Sequence, residues 1–162
     1  MATRKKKAAG RRPARRAAKR APRRRAAGRS ARGKGEARGL RLSSVSPALT
    51  VDDVERSLGW YRDVLGFSVS DRWERDGRLA GVEMKAGSTV FILVQDDWQK
   101  GRDRVKGEGF RLYCETKQDV DRVAQGIKAA GGTLQHEPTD EPWGGRDFAL
   151  VDPDGFKITI TT

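Results

Sequence analysis

Apolar positions at strand or helix spacing begin only beyond residue 39. Residues 45–51, Val45-Ser46-Pro47-Ala48-Leu49-Thr50-Val51, read as a strand. Asp53 then stands as an N-cap before Val54, Leu58, Tyr61 and Leu65, which share one helical face, and Gly66 ends that helix. A strand over 67–74, a turn at Asp76-Gly77 and a returning strand over 79–85 form a hairpin. Gly87-Ser88 turns the chain again into the apolar run 89–95. The polar stretch 96–108 reads as a linker, after which the order recurs. A strand over 110–115 is followed by a helix capped by Asp119, with Val120, Val123, Ala124 and Ile127 on one face and Gly131-Gly132 at its end. Three more strands are predicted over 133–137, 147–151 and 156–161.

The recurrence holds at the level of residues. Asp53-Val54-Glu55-Arg56 returns as Asp119-Val120-Asp121-Arg122, and Gly66 returns as Gly132, both 66 positions on. At that same offset Val90, Ile92 and Val94 return as Phe156, Ile158 and Ile160. A repeated βαβββ unit is the simplest reading, with modules at about 43–95 and 109–162. One such unit leaves an open sheet. Two packed together predict an α+β domain over 39–162, with a curved eight-stranded sheet, helices outside and a concave face that suits a small ligand.

Charge separates this domain from what precedes it. Residues 1–38 hold 17 of the 34 Lys and Arg and one acid, Glu36, a net +16, while the whole chain carries +12. The domain is therefore mildly acidic, at −4. The 1–38 segment has no aromatic residue and no Val, Ile or Leu, so it cannot offset the entropy of ordering, and a disordered basic tail is predicted. Its basic groups, Arg4, Lys5, Lys6, Lys7, Arg11, Arg12, Arg15, Arg16, Arg23, Arg24 and Arg25 among them, suit nonspecific phosphate contact through counterion release. Gly10-Arg11-Arg12-Pro13 lacks the Arg-Gly-Arg-Pro order of an AT-hook, so minor-groove specificity is not expected. A polyanionic surface other than nucleic acid, or a tail without a role, are the alternatives. No apolar run reaches the ~18 residues of a membrane span. The single cysteine, Cys114, fits a reducing compartment, and the expected location is the cytoplasm, at the nucleoid if the tail engages nucleic acid.

Two motifs carry a family resemblance. Leu49-Thr50-Val51-Asp52-Asp53 with Trp60-Tyr61-Arg62-Asp63-Val64-Leu65-Gly66-Phe67 resembles the strand–helix signature of the vicinal oxygen chelate superfamily, which unites glyoxalases, bleomycin-resistance proteins and extradiol dioxygenases. Pro142-Trp143-Gly144-Gly145-Arg146-Asp147-Phe148-Ala149-Leu150, followed by Asp152-Pro153-Asp154-Gly155, resembles its closing motif. Within the group the chain is most similar to bleomycin-resistance proteins, through Pro47 to Thr50, Val94-Gln95-Asp96 and the Pro142-Trp143-Gly144 run. The likeness covers about residues 42–162. It implies a homodimer whose modules pair across two chains, often with exchange of the first strand, where Pro47 matches the family proline. It also implies that Trp143 stacks on a planar ligand.

Metal-dependent members carry His, Glu or Gln near the first and last strands of each module. Here those slots hold Ser46, Arg111 or Leu112, Leu93 and Thr159, none of them an ordinary donor for a divalent ion. The only histidine, His136, lies on another strand. No metal and no other cofactor is expected, and no Ser-His-Asp or Cys-His arrangement is visible. By strand alternation Phe91, Leu93 and Gln95 should face away from the helices, as should Lys157 and Thr159, with Tyr113 and Glu115 alternating against Leu112 and Cys114. The expected ligand-binding residues are Trp143, Phe91, Leu93, Tyr113, Thr159 and Glu115. Glu83, Glu115 and Asp147 would favour a cationic, planar organic ligand. The leading reading is a metal-free binding module that sequesters or senses such a molecule. The alternatives are an enzyme of the same superfamily, of lyase, isomerase or dioxygenase class, and a nucleoid-associated DNA-binding protein.

Overall fold

A computed structural model describes Leu40 and residues 42–162; the tail predicted over 1–38 lies outside the described residues. The element order is β1 (Ala48–Val51), α1 (Val54–Asp63), β2 (Ser68–Arg75), β3 (Arg78–Ala86), β4 (Thr89–Gln95), β5 (Arg111–Glu115), α2 (Val120–Ala129), β6 (Leu134–Asp140), β7 (Arg146–Val151) and β8 (Lys157–Thr161). All eight expected strands are present. Hydrogen bonding divides them into two four-stranded sheets with the same topology, β1-β4-β3-β2 and β5-β8-β7-β6. In each the first strand runs parallel to the last, and the remaining pairs are antiparallel.

Local chemistry sets the boundaries. The side chains of Asp53 and Asp119 accept from the backbone N–H groups of Arg56 and Arg122, the third residue of each helix. Gly66 adopts a left-handed φ of 72°, which turns the chain out of α1 towards β2. Asp76 and Gly77 both take positive φ, as a tight hairpin requires. One helix face is buried in each module: Val54, Ser57, Leu58 and Tyr61 in α1, and Val120, Ala124 and Ile127 in α2. These residues join Leu49, Val82, Met84, Phe91, Leu93, Phe148, Leu150, Phe156 and Ile158 in a single core cluster that draws on both modules.

The packing corrects one register. The buried positions of β4 are Phe91 and Leu93, which match Phe156 and Ile158 at an offset of 65 rather than 66. Module 2 is one residue shorter between α2 and β8. A slip of one residue exchanges the two faces of a strand. Phe91, Leu93 and Gln95 therefore lie on the helix-packed side of β4: Phe91 packs through Phe67 towards Tyr61, and Gln95 bonds the backbone at the start of α1.

One polar cluster joins the modules, and a second ties the connector to module 1. Tyr61, fully buried, donates its hydroxyl to Asp152 in the β7–β8 turn at 2.9 Å. In the same turn Asp154 accepts from Asp52 N (2.7 Å), Ser57 Oγ (2.6 Å) and Arg56 Nη2 (3.0 Å). The second cluster lies in the stretch read as a polar linker. Lys106, with a side chain 5% exposed, is 2.8 Å from the Asp96 carboxylate and also pairs with Asp52, while Arg104 pairs with Asp96 from the other side. The Lys106 hydrogen bond holds the Asp96 carboxyl well below the usual carboxylate range. Burial opposes this shift, and the Trp98 N–H and Arg104 reinforce it.

Because the folded-state value for Asp96 is depressed, its contribution to stability is present above about pH 4 and is lost as pH falls below that. Lys106→Met leaves a buried carboxylate short of its main partner and should cost about 3 kcal/mol at pH 7. Urea unfolding at pH 7 and pH 3 measures this: the gap between variant and parent should narrow at pH 3, and equal stability at pH 7 would contradict the assignment.

Candidate functional site

The helices cover one face of each sheet, through α1 on β3 and β4 and α2 on β6 and β7. The other faces are open. On the β5–β8 sheet, strand register places Tyr113, Thr159, Ala149 and His136 in one row, and Glu115, Thr161 and Asp147 in the next. Tyr113 is 69% exposed, whereas Thr159 and Asp147 are buried among their neighbours. Arg111 donates from Nη1 to Thr159 Oγ1 at 3.2 Å. His136 Nε2 lies 3.6 Å from Asp147 Oδ1, and its Nδ1 is 3.1 Å from the Glu137 carbonyl.

Trp143 stands at the end of this sheet, in the β6–β7 turn. Glu141 N and Gly145 O close the turn at 3.0 Å. Gly144 and Gly145 both have φ of 91°, and a Cβ on Gly145 would meet Thr162 O at 2.7 Å, so glycine is required there. The turn leaves the Trp143 ring 76% exposed. Arg146 anchors the turn to α2 by a two-pronged contact with Asp121 at 2.9 and 3.0 Å.

Of the six residues expected to bind ligand, Tyr113, Thr159 and Glu115 are thus brought together on one open face, with Trp143 at its edge. Phe91 and Leu93 are not on that face; both are buried on the helix side of the other sheet, where Phe91 reaches a groove that Tyr113 and Glu115 also line. Glu83 does lie on that sheet's open face, where its Oε1 accepts from Ser70 Oγ at 2.7 Å. Sequence reasoning passed over Trp73. Its indole lies on Gly81 across the β2–β3 pair, so close that a Cβ there would be 2.2 Å from the ring, and it remains 38% exposed. A tryptophan opposite a glycine in a hairpin was the available signal.

There are two further hollows. One, of about 290 Å³, lies between β1 and the Arg104–Phe110 stretch. The other, of about 1010 Å³, is a groove between the modules; Phe91, Tyr113 and Glu115 are among the residues that line it, and Trp143 is not.

The positions expected from the sequence to hold a metal offer poor donors. Leu93 turns into the core, the corrected register makes the apolar Val94 the counterpart of Thr159, and Thr159 is already engaged by the Arg111 guanidinium, whose charge repels a cation. Among the described residues no group of three His, Cys, Asp or Glu side chains stands close enough to hold an ion. Likewise among the described residues, no helix is long and apolar enough to cross a membrane. Cys114 is a half-buried free thiol, pushed above its ordinary range by burial.

Comparison with known proteins supports the same grouping. The bleomycin resistance protein of Geobacillus stearothermophilus is 28% identical over 125 residues, spanning 70% of this chain and 92% of the relative. A lactoylglutathione lyase of Arabidopsis thaliana is 25% identical over 114 residues, spanning 68% of this chain and 40% of the relative. Among solved structures, TioX from Micromonospora sp. ML1 superposes with a TM-score of 0.61 at 21% identity, over 74% of this chain and 98% of that one, a likeness of fold. The model of the Glyoxalase/Bleomycin resistance protein/Dioxygenase superfamily matches residues 42–160, and the chain belongs to that superfamily.

Proposed function

We propose that this protein is a metal-free binding protein that sequesters or senses a small organic molecule. The observation that carries the reading is the open face of the β5–β8 sheet. It presents the exposed ring of Tyr113 beside Thr159, with Asp147 in the next row, and the exposed Trp143 stands in the turn at the end of the same sheet. Rings in that setting offer stacking surface to a planar ligand. Glu115 and Asp147 add negative potential, which favours a cationic one. The poor donor chemistry at the metal positions argues against the metal-assisted reactions of lyase and dioxygenase relatives, and binding is the simpler use of this face. Relatives named for bleomycin resistance support the same choice.

The open faces also support a homodimer, in which each copy completes the other's cleft. Trp73 on one face and Tyr113 on the other give that contact aromatic surface. For the tail, the +16 over residues 1–38 supports nonspecific contact with nucleic acid, acting apart from the acidic domain. With one cysteine and no apolar span in the sequence, the proposed location is the cytoplasm, at the nucleoid where the tail binds.

Three outcomes are expected. A planar cationic ligand found by screening should quench Trp143 fluorescence and bind equally well after EDTA treatment, and Trp143→Ala should weaken it by about 1–3 kcal/mol. Loss of binding on chelation, or indifference to Trp143→Ala, would reject the site.

Sedimentation equilibrium at micromolar concentration should return twice the 17.9 kDa chain mass. A monomer mass at every concentration would reject the dimer.

Full-length protein should bind duplex DNA with a log–log salt slope near −0.9 per neutralised phosphate, about −7 to −8 if half the basic residues engage. A protein beginning at Leu40 should lose this binding. Equal affinity of the two, or no binding by either at low salt, would return the tail to a role without nucleic acid.

A further inference from the structure

The two modules are copies, yet one inter-module contact is closed and its counterpart is open. On the closed side the β7–β8 turn docks on α1 through Asp152 to Tyr61 and Asp154 to Ser57. The Arg104–Phe110 stretch covers β1 beside it and leaves only the hollow of about 290 Å³. Gly107 lies so close to Gly155 that a Cβ would be 2.3 Å from its carbonyl oxygen. The related elements on the other side are the β3–β4 turn, α2 and β5, and they enclose the groove of about 1010 Å³.

The difference is written in the residues. At equivalent helix positions, 66 apart, Tyr61 is replaced by Ile127 and Ser57 by Val123. In the turn, 65 apart, Asp152-Pro153-Asp154 is replaced by Gly87-Ser88-Thr89, which has no carboxylate to reach the helix. Gln95, which bonds the start of α1, is replaced by Ile160. A polar clamp on one side has become an apolar lining on the other. An occupant lying along the apolar strip of Phe91, Val123, Ile127 and Ile160 would take that strip and its own apolar surface out of water.

Charge at the rim indicates the occupant's chemistry. Exposed Lys85 and Lys117 border the groove, with Glu115 the one acid among its lining residues. We propose that the groove is a second ligand site, distinct from the Trp143 end of the open sheet face although Tyr113 and Glu115 border both, for an amphipathic anion: an alkyl or arylalkyl carboxylate lies along Phe91, Val123, Ile127 and Ile160 and sets its head group between Lys85 and Lys117. An apolar body matches the floor, and a single negative charge matches the excess base at the rim.

Cys114 gives a local readout, because it is the only cysteine and lines the groove. In the full-length protein, decanoate should protect Cys114 from maleimide in a saturable manner, at least tenfold in rate. Ile127→Tyr installs the residue that closes the other side and should abolish protection by decanoate. An added ring in the groove also alters packing, so a second variant, Lys85→Glu with Lys117→Glu, changes only exposed positions. It should weaken decanoate at least tenfold and leave protection by the uncharged decanol unchanged. Trp143→Ala should leave both ligands unaffected, which keeps this site distinct from the Trp143 end of the open face.

Absence of saturable protection by decanoate would overturn the proposal, as would equal protection by decanol and decanoate in the parent. A third result would also overturn it: efficient disulfide formation between Leu42→Cys and Cys114, showing that the segment before β1, from the same or a second chain, already fills the groove.

Discussion

The hydroxyl of Tyr61 lies in the middle of the molecule, on a ring with no exposed surface, and its one partner is the carboxylate of Asp152, 91 residues away. An unpaired hydroxyl there would cost about 1–3 kcal/mol, so α1 and the β7–β8 turn must keep this contact. The consequences run outward from it. Asp152 also accepts from Asp154 N and Phe156 N, which fixes the turn, and Gly155 completes it with a φ of 94°. The turn sets where β8 begins, and β8 sets the rows in which Thr159 meets Tyr113 and Thr161 meets Glu115. Burial pushes the Tyr61 phenol far above its ordinary range, and the neighbouring Asp152 charge adds to the shift; the group stays a neutral donor throughout the accessible pH range.

Much of this architecture was legible in the chain. The caps at Asp53 and Asp119, the glycine after each helix and the hairpin at Asp76-Gly77 act within a few residues, so local pattern specifies them. The duplication supplied the long-range part, since equal modules imply equal topologies. It failed where it was applied too rigidly. The helices repeat at 66 and the last strands at 65, and that single residue moved Phe91 and Leu93 from an expected ligand face into the core. Periodicity of two cannot absorb an error of one. The linker was placed correctly, but its ion pairs were missed for a different reason. Arg104, Lys106 and Asp96 look like solvated charge, and only the fold brings them together under cover.

The open face combines features that pull in opposite directions. Buried Thr159 and Asp147 give it fixed polar groups, which bind with little reorganisation, while Tyr113 and Trp143 are held out by a strand and a glycine turn. The polar groups are already held by neighbours, Thr159 by Arg111 and Asp147 beside His136, while the two rings are left exposed. Membership of the superfamily does not decide the chemistry, because relatives of this chain are named as differently as bleomycin resistance protein, lactoylglutathione lyase and dioxygenase. On this face of the chain an arginine and a threonine, neither an ordinary donor for a divalent ion, bond to each other.

The connector between the modules is more than a tether. Phe110 meets Phe156 edge to face with ring centroids 6.3 Å apart, and Lys106 is enclosed between the end of β4 and the start of α1. The connector thus lays a buried Lys106 side chain and a partly exposed Phe110 ring against the modules it joins. Order along the chain therefore matters in a protein whose halves share one topology. A circular permutant that places module 2 first would keep both sheets, but it would break the covalent path that delivers Lys106 and Phe110 to their places. The halves are alike in shape and no longer interchangeable in sequence order.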